Sequence, residues 1–346
     1  MFKNIDKENM FHSIWSFPEN IMDAIDLGDS LMLRNSYDNI QNIIVAGMGG
    51  SAIGGDIVSV LESSNIKIPF MVCRDYSLPN WVNKNTLIIC SSYSGNTEET
   101  LSIFNQSLNL GAKVCGITTG GILLKKLEEF DKDYIIIPSG LQPRAAIAYS
   151  FIPIIKFLEK LCIIESDFNL WIQKTLISLK ENRDLYNKED DNNPVYRLAK
   201  NIYNKIPIIY SDNSTMRVNG IRIKGQICEN AKMLAYCNDL PELNHNEIVG
   251  WKNNKNIIEF LCVIWLKDYS DNKRIKYRQK ITQSILDEIN IDQYSIEVKG
   301  ESFQERFLHV MHYGDWLSFW CAILHHTDPS PVEKIIRLKE ELGNRH

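Results

Sequence analysis

The stretch Thr86-Leu-Ile-Ile-Cys-Ser-Ser-Tyr-Ser-Gly-Asn-Thr-Glu-Glu-Thr100 decides the fold of this chain. Its first five residues form a β-branched and apolar run that predicts a buried strand, and a helical pattern begins near Asn96. The hydroxyls of Ser91, Ser92, Ser94 and Thr97 therefore collect between a strand and a helix N-terminus. Backbone N–H groups at a helix N-terminus attract anions, so this turn suits a phosphate monoester. The alternative is an ordinary helix cap, since Ser and Thr cap helices anyway.

The same alternation of apolar runs and helical patterns extends in both directions from this stretch. In the first half, strands are predicted at 42–47, 69–73, 86–90, 112–117 and 134–138, and helices at 97–110, 121–130 and 145–161. In the second half, strands are predicted at 206–210, 257–265 and 294–298, and helices at 215–235, 273–289, 302–324 and 331–342, with 236–250 irregular. Such alternation predicts an α/β protein with two lobes, each a doubly wound parallel sheet flanked by helices.

A polar run at 187–193 marks the predicted boundary between the two lobes. We expect an N-terminal domain over 1–162 that carries the hydroxyl turn, a helical linker over 163–194 and a C-terminal domain over 195–346. The last helix of the C-terminal domain is expected to return to the active site.

Composition excludes several classes of protein. With 346 residues, 44% hydrophobic and 23% charged, the chain is typical of a globular protein with a sizeable core. A net charge of −5 gives no support for a nucleic acid or an anionic membrane as partner. No apolar run is long enough to span a bilayer, and the N-terminus lacks a secretion-signal pattern. The eight cysteines form no C-x-x-C pair, which favours reduced thiols in the cytoplasm over disulfides or a zinc site.

A glycine-rich turn, Gly-Met-Gly-Gly-Ser-Ala-Ile-Gly-Gly-Asp at 47–56, follows the first predicted strand. Gly47, Gly49 and Ala52 satisfy the spacing of a dinucleotide fingerprint, so nicotinamide or flavin binding is an alternative. Asp75, the nearest acidic residue after the second predicted strand, lies further along than the usual interval of about 20 residues. The dinucleotide interpretation is therefore the weaker one.

Three polar side chains outside these turns are candidates for chemistry. Arg144 follows the fifth predicted strand and could stabilise an oxyanion, or could simply open a helix at the surface. Glu229 has apolar neighbours that would partly desolvate a general base, although an ion pair with Lys232 is equally compatible with the spacing. His245 lies between two asparagines and could pass protons near pH 7, or could be a solvated loop residue.

Histidines also occur at 309 and 312, a spacing that could bring them together on a helix. No third ligand accompanies them, so packing is a better explanation than a metal site, and we expect no metal. The chain has no G-x-S-x-G, H-E-x-x-H or Walker motif, which counts against hydrolase and nucleotide-triphosphate functions.

Six segments, in this order along most of the chain, resemble the bifunctional phosphoglucose/phosphomannose isomerase family of the sugar isomerase (SIS) superfamily. They are GMGGSAIGGD at 47–56, SSYSGNTEET at 91–100, QPR at 142–144, GQICENAK at 225–232, ELNHNEIVGW at 242–251 and DPSPVEKIIRLKEEL at 328–342. The resemblance implies two SIS lobes. It also implies an aldose–ketose isomerase that interconverts glucose 6-phosphate and/or mannose 6-phosphate with fructose 6-phosphate. The implied cis-enediol mechanism uses no metal and no cofactor.

The resemblance further implies a role for each site residue. Glu229 would be the base that moves a proton between C2 and C1, and Arg144 would stabilise the enediolate. His245 and Lys334 would assist ring opening, with His245 contributed by the other subunit of a homodimer. Thr327 would admit either C2 epimer because its side chain is small. The residues expected to bind phosphate or sugar are Gly49, Gly50, Ser51, Ser92, Ser94, Thr97 and Thr327.

One position departs from the family pattern, and two other functions remain open. Ala52 stands where the family often has glycine, a change that bears modestly on the geometry of the first turn and that need not obstruct the ligand. A non-catalytic SIS module that senses sugar phosphates would share the hydroxyl turn without needing Glu229, Arg144 and His245 together. An amino-sugar phosphate isomerase or deaminase would be expected to lack the NHNE and DPSPV segments that this chain has.

Overall fold

A computed structural model of the chain describes residues 2–165 and 168–343. The chain divides into two compact units. The first unit consists of residues 16–173, and the second combines residues up to 15 with those from 174 onward. Helix α1 (Met10–Trp15) therefore belongs with the C-terminal half, whereas the sequence places it in the N-terminal domain. The segment expected to be a linker is divided between the two units at residue 174.

The first unit contains a five-stranded parallel sheet, as predicted. Its strands are β1 (Asn42–Ala46), β2 (Phe70–Cys73), β3 (Thr86–Ser92), β4 (Lys113–Thr118) and β5 (Asp133–Ile136). They lie in the order β2-β1-β3-β4-β5, so the direction of winding reverses between β1 and β3. Every residue of β3 is buried, which agrees with its continuous apolar run. Ligands of such sheets bind outside the carboxyl ends of the strands at the point of reversal.

Helices flank this sheet. They are α2 (Phe17–Asp29), α3 (Gly49–Leu61), α4 (Glu98–Asn109), α5 (Gly121–Glu129) and α6 (Ala148–Lys160). Gly54 lets α3 lie close to α6, since a Cβ atom there would stand 2.6 Å from the Cβ of Ser150. Helix α6 begins three residues later than predicted because residues 142–147 form turns. That delay places Arg144 in a loop.

The second unit contains a four-stranded parallel sheet. Its strands are β6 (Ile206–Asp212), β7 (Tyr236–Leu240), β8 (Leu261–Leu266) and β9 (Asp292–Ile296), in the order β7-β6-β8-β9. The prediction was wrong at two places here. Residues 236–240 form an edge strand rather than an irregular segment. The first part of the predicted strand 257–265 is instead the short helix α10 (Lys255–Ile258). The predicted α/β class with two helix-flanked parallel sheets is confirmed.

Helices complete this unit, although the first of them begins at residue 168, before the boundary of the unit at residue 174. Helices α7 to α9 are Phe168–Tyr186, Pro194–Asn201 and Arg217–Gln226, and α11 to α13 are Lys273–Asp287, Phe303–Leu324 and Glu333–Gly343. Helix α12 is buried along almost its whole length and packs against α8 and α9. Helix α9 continues as a π-helix over Ile227–Ala231, so the predicted helix 215–235 stops early. Among the helices of residues 2–165 and 168–343, none combines the length and apolar character needed to cross a bilayer.

Aromatic contacts explain why residues 2–15 belong to the second unit. The ring of Phe11 makes edge contacts with Trp316 and Phe319 of α12, at centroid distances of 5.1 and 5.7 Å. Phe2 stacks on Phe11 and also meets the edge of Phe319. Such ring pairs add to the stabilisation gained from burying their surface. The N-terminal segment is therefore part of the core around α12.

Candidate active site

Two turns of the first unit meet at the point of reversal between β1 and β3. The glycine-rich turn follows β1 and leads into α3 at Gly49, whose φ of 51° is a conformation that glycine adopts freely. The hydroxyl turn follows β3 and leads into α4. Ser91 and Ser92 are the last residues of β3 itself, because the strand runs two residues further than predicted. Both turns lie at the edge where doubly wound sheets hold their ligands.

The hydroxyl turn is organised by its own side chains. Ser92 Oγ lies 2.9 Å from Thr97 Oγ1 and accepts a hydrogen bond of 3.1 Å from the Gly95 N–H. Ser94 Oγ accepts from the Asn96 N–H at 3.2 Å. Thr97 occupies the N-cap position of α4, but its side chain makes no capping hydrogen bond. Helix capping therefore does not explain this hydroxyl, and the first-turn N–H groups of α4 are not covered by it.

A third loop, at 140–144, packs against both turns. A Cβ atom on Gly50 would stand 2.8 Å from the Pro143 carbonyl oxygen and 3.7 Å from the Cα of Arg144, so only glycine permits this approach. The Tyr93 hydroxyl accepts a hydrogen bond of 2.9 Å from the Leu141 N–H. The Tyr93 N–H in turn donates to Ser51 Oγ at 3.2 Å. The structure thus brings the predicted residues of the first unit together.

The sequence predicted Arg144 as a site residue, but it did not single out Tyr93. Arg144 is 5% exposed, so it is not the surface residue of the alternative interpretation. Sequence reasoning missed Tyr93, although it stands in the middle of the hydroxyl stretch. Burial raises the pKa of the Tyr93 phenol, against the opposing effect of the Leu141 N–H. The phenol oxygen accepts the Leu141 N–H and so holds the loop that contains Arg144.

Glu229 lies in the π-helix of the second unit and is half-buried. The helix is anchored to α12 on both sides of this residue. Gln226 Nε2 donates to Asp315 Oδ1 at 2.7 Å, and Asn230 Nδ2 donates to Ser318 Oγ at 2.9 Å. Single turns of π-helix occur frequently at functional sites, because the extra residue turns a side chain to a new direction.

His245 is exposed at the end of a one-turn helix, Glu242–His245, which follows the edge strand β7. The segment after it is fastened to the sheet through Glu247. Asn238 Nδ2 donates to Glu247 Oε2 at 2.6 Å, and the Tyr210 hydroxyl donates to Glu247 Oε1. Burial, followed by the bond to Glu247, raises the pKa of Tyr210. The segment just after His245 is therefore bonded to the sheet, while the His245 imidazole itself is exposed.

Thr327 follows the C-terminus of α12, where His326 takes the left-handed conformation with φ 51°. The Thr327 N–H donates to the Ala322 carbonyl at 2.9 Å, and its side chain is half-buried. Lys334 is exposed on α13. Within the second unit, His245 and Lys334 therefore stand exposed on separate elements, while Glu229 and Thr327 are half-buried.

The carboxyl edge of the second sheet differs from that of the first. Arg306 Nε and Nη2 donate to the two carboxylate oxygens of Asp268 at 2.6 and 2.9 Å, and both side chains are 1% exposed. Burial raises the pKa of Asp268, but the bonds from Arg306 outweigh it and hold the pKa below its usual range. A buried ion pair between the chain's own residues therefore lies just beyond the end of β8. Within the described ranges, no cluster of three or more His, Cys, Asp or Glu side chains is arranged to hold a metal ion.

Comparison with known proteins gives consistent results. Residues 191–342 match the family model described as the bacterial phospho-glucose isomerase C-terminal SIS domain. A bifunctional phosphoglucose/phosphomannose isomerase from Caldicellulosiruptor bescii is 42% identical over 336 residues, which cover 96% of this chain and 99% of that protein. Its counterpart from Aquifex aeolicus is 35% identical over 87% of this chain and 90% of its own.

Solved structures share the fold at much lower identity. The C-terminal domain of glucosamine-fructose-6-phosphate aminotransferase from Francisella tularensis aligns with a TM-score of 0.70 and 16% identity. The alignment covers 93% of this chain and 98% of that domain. At this identity the likeness concerns the fold alone.

Proposed function

The chain belongs to the bifunctional phosphoglucose/phosphomannose isomerase family, and on that premise we propose that it interconverts glucose 6-phosphate and mannose 6-phosphate with fructose 6-phosphate. Identity of 42% across nearly the full length of both chains supports an isomerase of this kind. The observation that carries the proposal is the hydroxyl turn at the point of sheet reversal. There Ser92 and Thr97 pair with each other, and Thr97 does not cap α4.

In this proposal the phosphate binds at the hydroxyl turn. Ser92, Ser94 and Thr97 contact its oxygens together with N–H groups at the N-terminus of α4. Residues 49–51 lie against the sugar. No lysine or arginine occurs between residues 91 and 97, so the turn itself contributes hydrogen bonds and no positive charge. Such a site releases product readily, while binding the remote phosphate still positions C1 and C2 for reaction.

The chemistry then requires a base, a positive charge and help with ring opening. Glu229 takes the proton from C2 of the open-chain aldose, and the electrons of that bond form the C1–C2 double bond as the C1 carbonyl becomes an enediolate oxygen. Arg144 stabilises that oxygen with the positive charge and paired N–H donors of its guanidinium. Glu229 then delivers the proton to C1, while the proton of the O2 hydroxyl passes to O1, so that C2 becomes the ketose carbonyl and C1 becomes a CH2OH group.

The remaining residues act before and around this step. His245 and Lys334 assist opening of the sugar ring, with His245 contributed by the other subunit of a homodimer. Thr327 leaves room for either configuration at C2, so both aldoses reach the same enediol. The reaction reduces C1 and oxidises C2 within the same sugar, so there is no net gain or loss of electrons, and the scheme uses neither metal nor cofactor.

The test is turnover of glucose 6-phosphate and mannose 6-phosphate side by side, with fructose 6-phosphate as the measured product and a chelator present. We expect both sugars to be converted, at rates the chelator does not change. Loss of activity with chelator would point to a metal-dependent mannose phosphate isomerase and contradict the proposal. Binding of both sugars without turnover would favour the sensor, and conversion of amino-sugar phosphates alone would favour an amino-sugar enzyme.

A further inference from the structure

Lys232, three residues after Glu229, ends the π-helix in a left-handed conformation with φ 56° and ψ 23°. Helices often end this way, but the residue at that position is usually glycine or asparagine, because other side chains pay a steric cost of about 1–2 kcal/mol. Backbone geometry therefore disfavours a lysine at this position, so its side chain must have another role. Its ammonium group supplies one.

The Lys232 ammonium lies among four backbone carbonyl oxygens from two segments. Two belong to the end of the π-helix, Glu229 O at 2.9 Å and Asn230 O at 3.3 Å. The other two belong to the loop after α12, Asp328 O at 2.8 Å and Pro329 O at 3.0 Å. Carbonyls at a helix C-terminus lack intrahelical partners and carry the negative end of the helix dipole. An ammonium group has three N–H donors for the unpartnered carbonyls and a positive charge for the negative end of the dipole.

We propose that Lys232 is a positioning residue, which holds the backbone of Glu229 against the loop that joins Thr327 to α13. This inference rests on the proposed role of Glu229 as the base. The helix before Glu229 is fixed by Gln226 on Asp315, and Lys232 fixes the main chain at and after it. The same ammonium places the loop immediately after Thr327. Lys232 therefore acts through Glu229 and Thr327 rather than on the substrate.

Removing the ammonium should slow the chemical step more than it weakens binding. Misplacement of a reacting group by about 1 Å can cost roughly 100-fold in rate. We expect kcat to fall roughly 10- to 100-fold in Lys232→Gly, a change that also relieves the left-handed backbone. KM should stay within about 3-fold, because in the proposed function the phosphate is held in the other unit. Lys232→Arg should be intermediate, since a planar guanidinium cannot converge on the same carbonyls.

Chemical rescue separates positioning from general stability. Lys232→Gly leaves room for n-butylammonium, which carries the atoms that the substitution removes. We expect this amine to restore part of kcat in Lys232→Gly and to leave wild type and Glu229→Gln unchanged. Asn290→Gly is the matched control, because Asn290 also has a positive φ, of 57°, and lies outside the site. A Lys232→Gly enzyme with wild-type kcat, or one whose loss the amine does not reverse, would overturn the proposal.

Amide hydrogen exchange tests the same coupling without any substrate. In Lys232→Gly, exchange should accelerate together in 227–231 and 327–332, while β6 and β8 stay protected. Acceleration in one segment only, or in neither, would overturn the coupling. If wild type converts neither sugar, the proposed function fails, and the exchange result alone then decides whether Lys232 joins the two segments.

Discussion

The Thr97 hydroxyl is notable because it stands at the start of a helix and does not cap it. An N-cap threonine ordinarily accepts a hydrogen bond from the helix that it begins. Here its hydroxyl meets that of Ser92 instead, across the mouth of the turn. The pair uses one of its two O–H groups internally, so the other O–H remains available to donate to the phosphate of the proposed function.

We predict that Thr97→Val raises KM for hexose 6-phosphates by roughly 10- to 100-fold, because a hydrogen bond to a charged group contributes about 1.5–3 kcal/mol. Steady-state kinetics on fructose 6-phosphate would measure it, with kcat much less affected. Ser102→Ala is the matched control, since the Ser102 hydroxyl lies on the same helix and donates to the Tyr76 carbonyl. Equal KM values in wild type and Thr97→Val would contradict phosphate binding at this turn.

Glu229→Gln is the sharpest test of the proposed base. The amide keeps the size of the side chain but cannot take a proton, and loss of a general base costs roughly 100- to 10,000-fold in kcat. Binding of fructose 6-phosphate, followed by calorimetry, should be retained. Near-normal turnover in this variant would contradict the assignment.

The sequence predicted contacts between residues that are close along the chain, but it did not predict contacts between residues that are far apart. Ser92, Ser94 and Thr97 lie within one turn, so the order of residues was enough to predict that they lie close together. The Tyr93 phenol meets the amide of Leu141, and the Lys232 ammonium meets Asp328, which is 96 residues away. Only the folded chain brings such pairs together.

At the scale of elements, helix α12 carries two buried histidines. Burial lowers the pKa of His309 to about 4 and that of His312 to about 3. An unfolded histidine has a pKa of about 6.5, so below that pH the unfolded state binds more protons than the folded state. The stability contributed by each neutral imidazole is therefore present above pH 6.5 and lost as the pH falls towards the folded pKa.

We predict that the second unit loses about 2 kcal/mol of stability per buried histidine between pH 7 and pH 5. Amide exchange of α12 at the two pH values would measure it. In His309→Gln, whose amide does not titrate, the loss should be smaller by about the contribution of one histidine. The acidic residues that titrate are the same in both proteins, so identical pH dependence would exclude His309 as a contributor.

The pattern of apolar residues predicted most strands. It missed β7 and wrongly extended β8 to residue 257, and both errors have the same cause. The pattern assumes that apolar residues are buried, and in a central strand they are. Ile257 and Phe260 are more than half exposed, so their apolar run did not indicate a strand. Strand β7 lies at the edge of its sheet and contains Asn238 and Asp239, so it lacked the expected run.

At the scale of the whole molecule, the second unit is built from two separate parts of the chain. Alternation of strands and helices predicted two lobes, but it could not reveal which of them holds residues 2–15. The aromatic rings of that segment are equally suited to any apolar surface. Their partners on α12 lie about 300 residues further along.

Phe11→Ala should therefore destabilise the second unit, by about 2 kcal/mol for a half-buried ring. Amide exchange should accelerate in α12 and leave β1 to β5 unchanged, although residue 11 is closer in sequence to β1. Phe130→Ala is the matched control, because Phe130 packs on Phe104 of the first unit. It should affect the first unit only, and the reverse pattern in either variant would contradict this division of the chain.

The split second unit also imposes an order on synthesis. Residues 2–15 leave the ribosome well before α12, on which they pack and which is translated about 300 residues later. At about 5–20 residues per second, this interval is roughly 15–60 s. The first unit, which is continuous in sequence, can complete its sheet during that time. During that interval Phe2 and Phe11 lack the rings of α12 that cover them in the folded chain, so their apolar surface is exposed until the second unit closes.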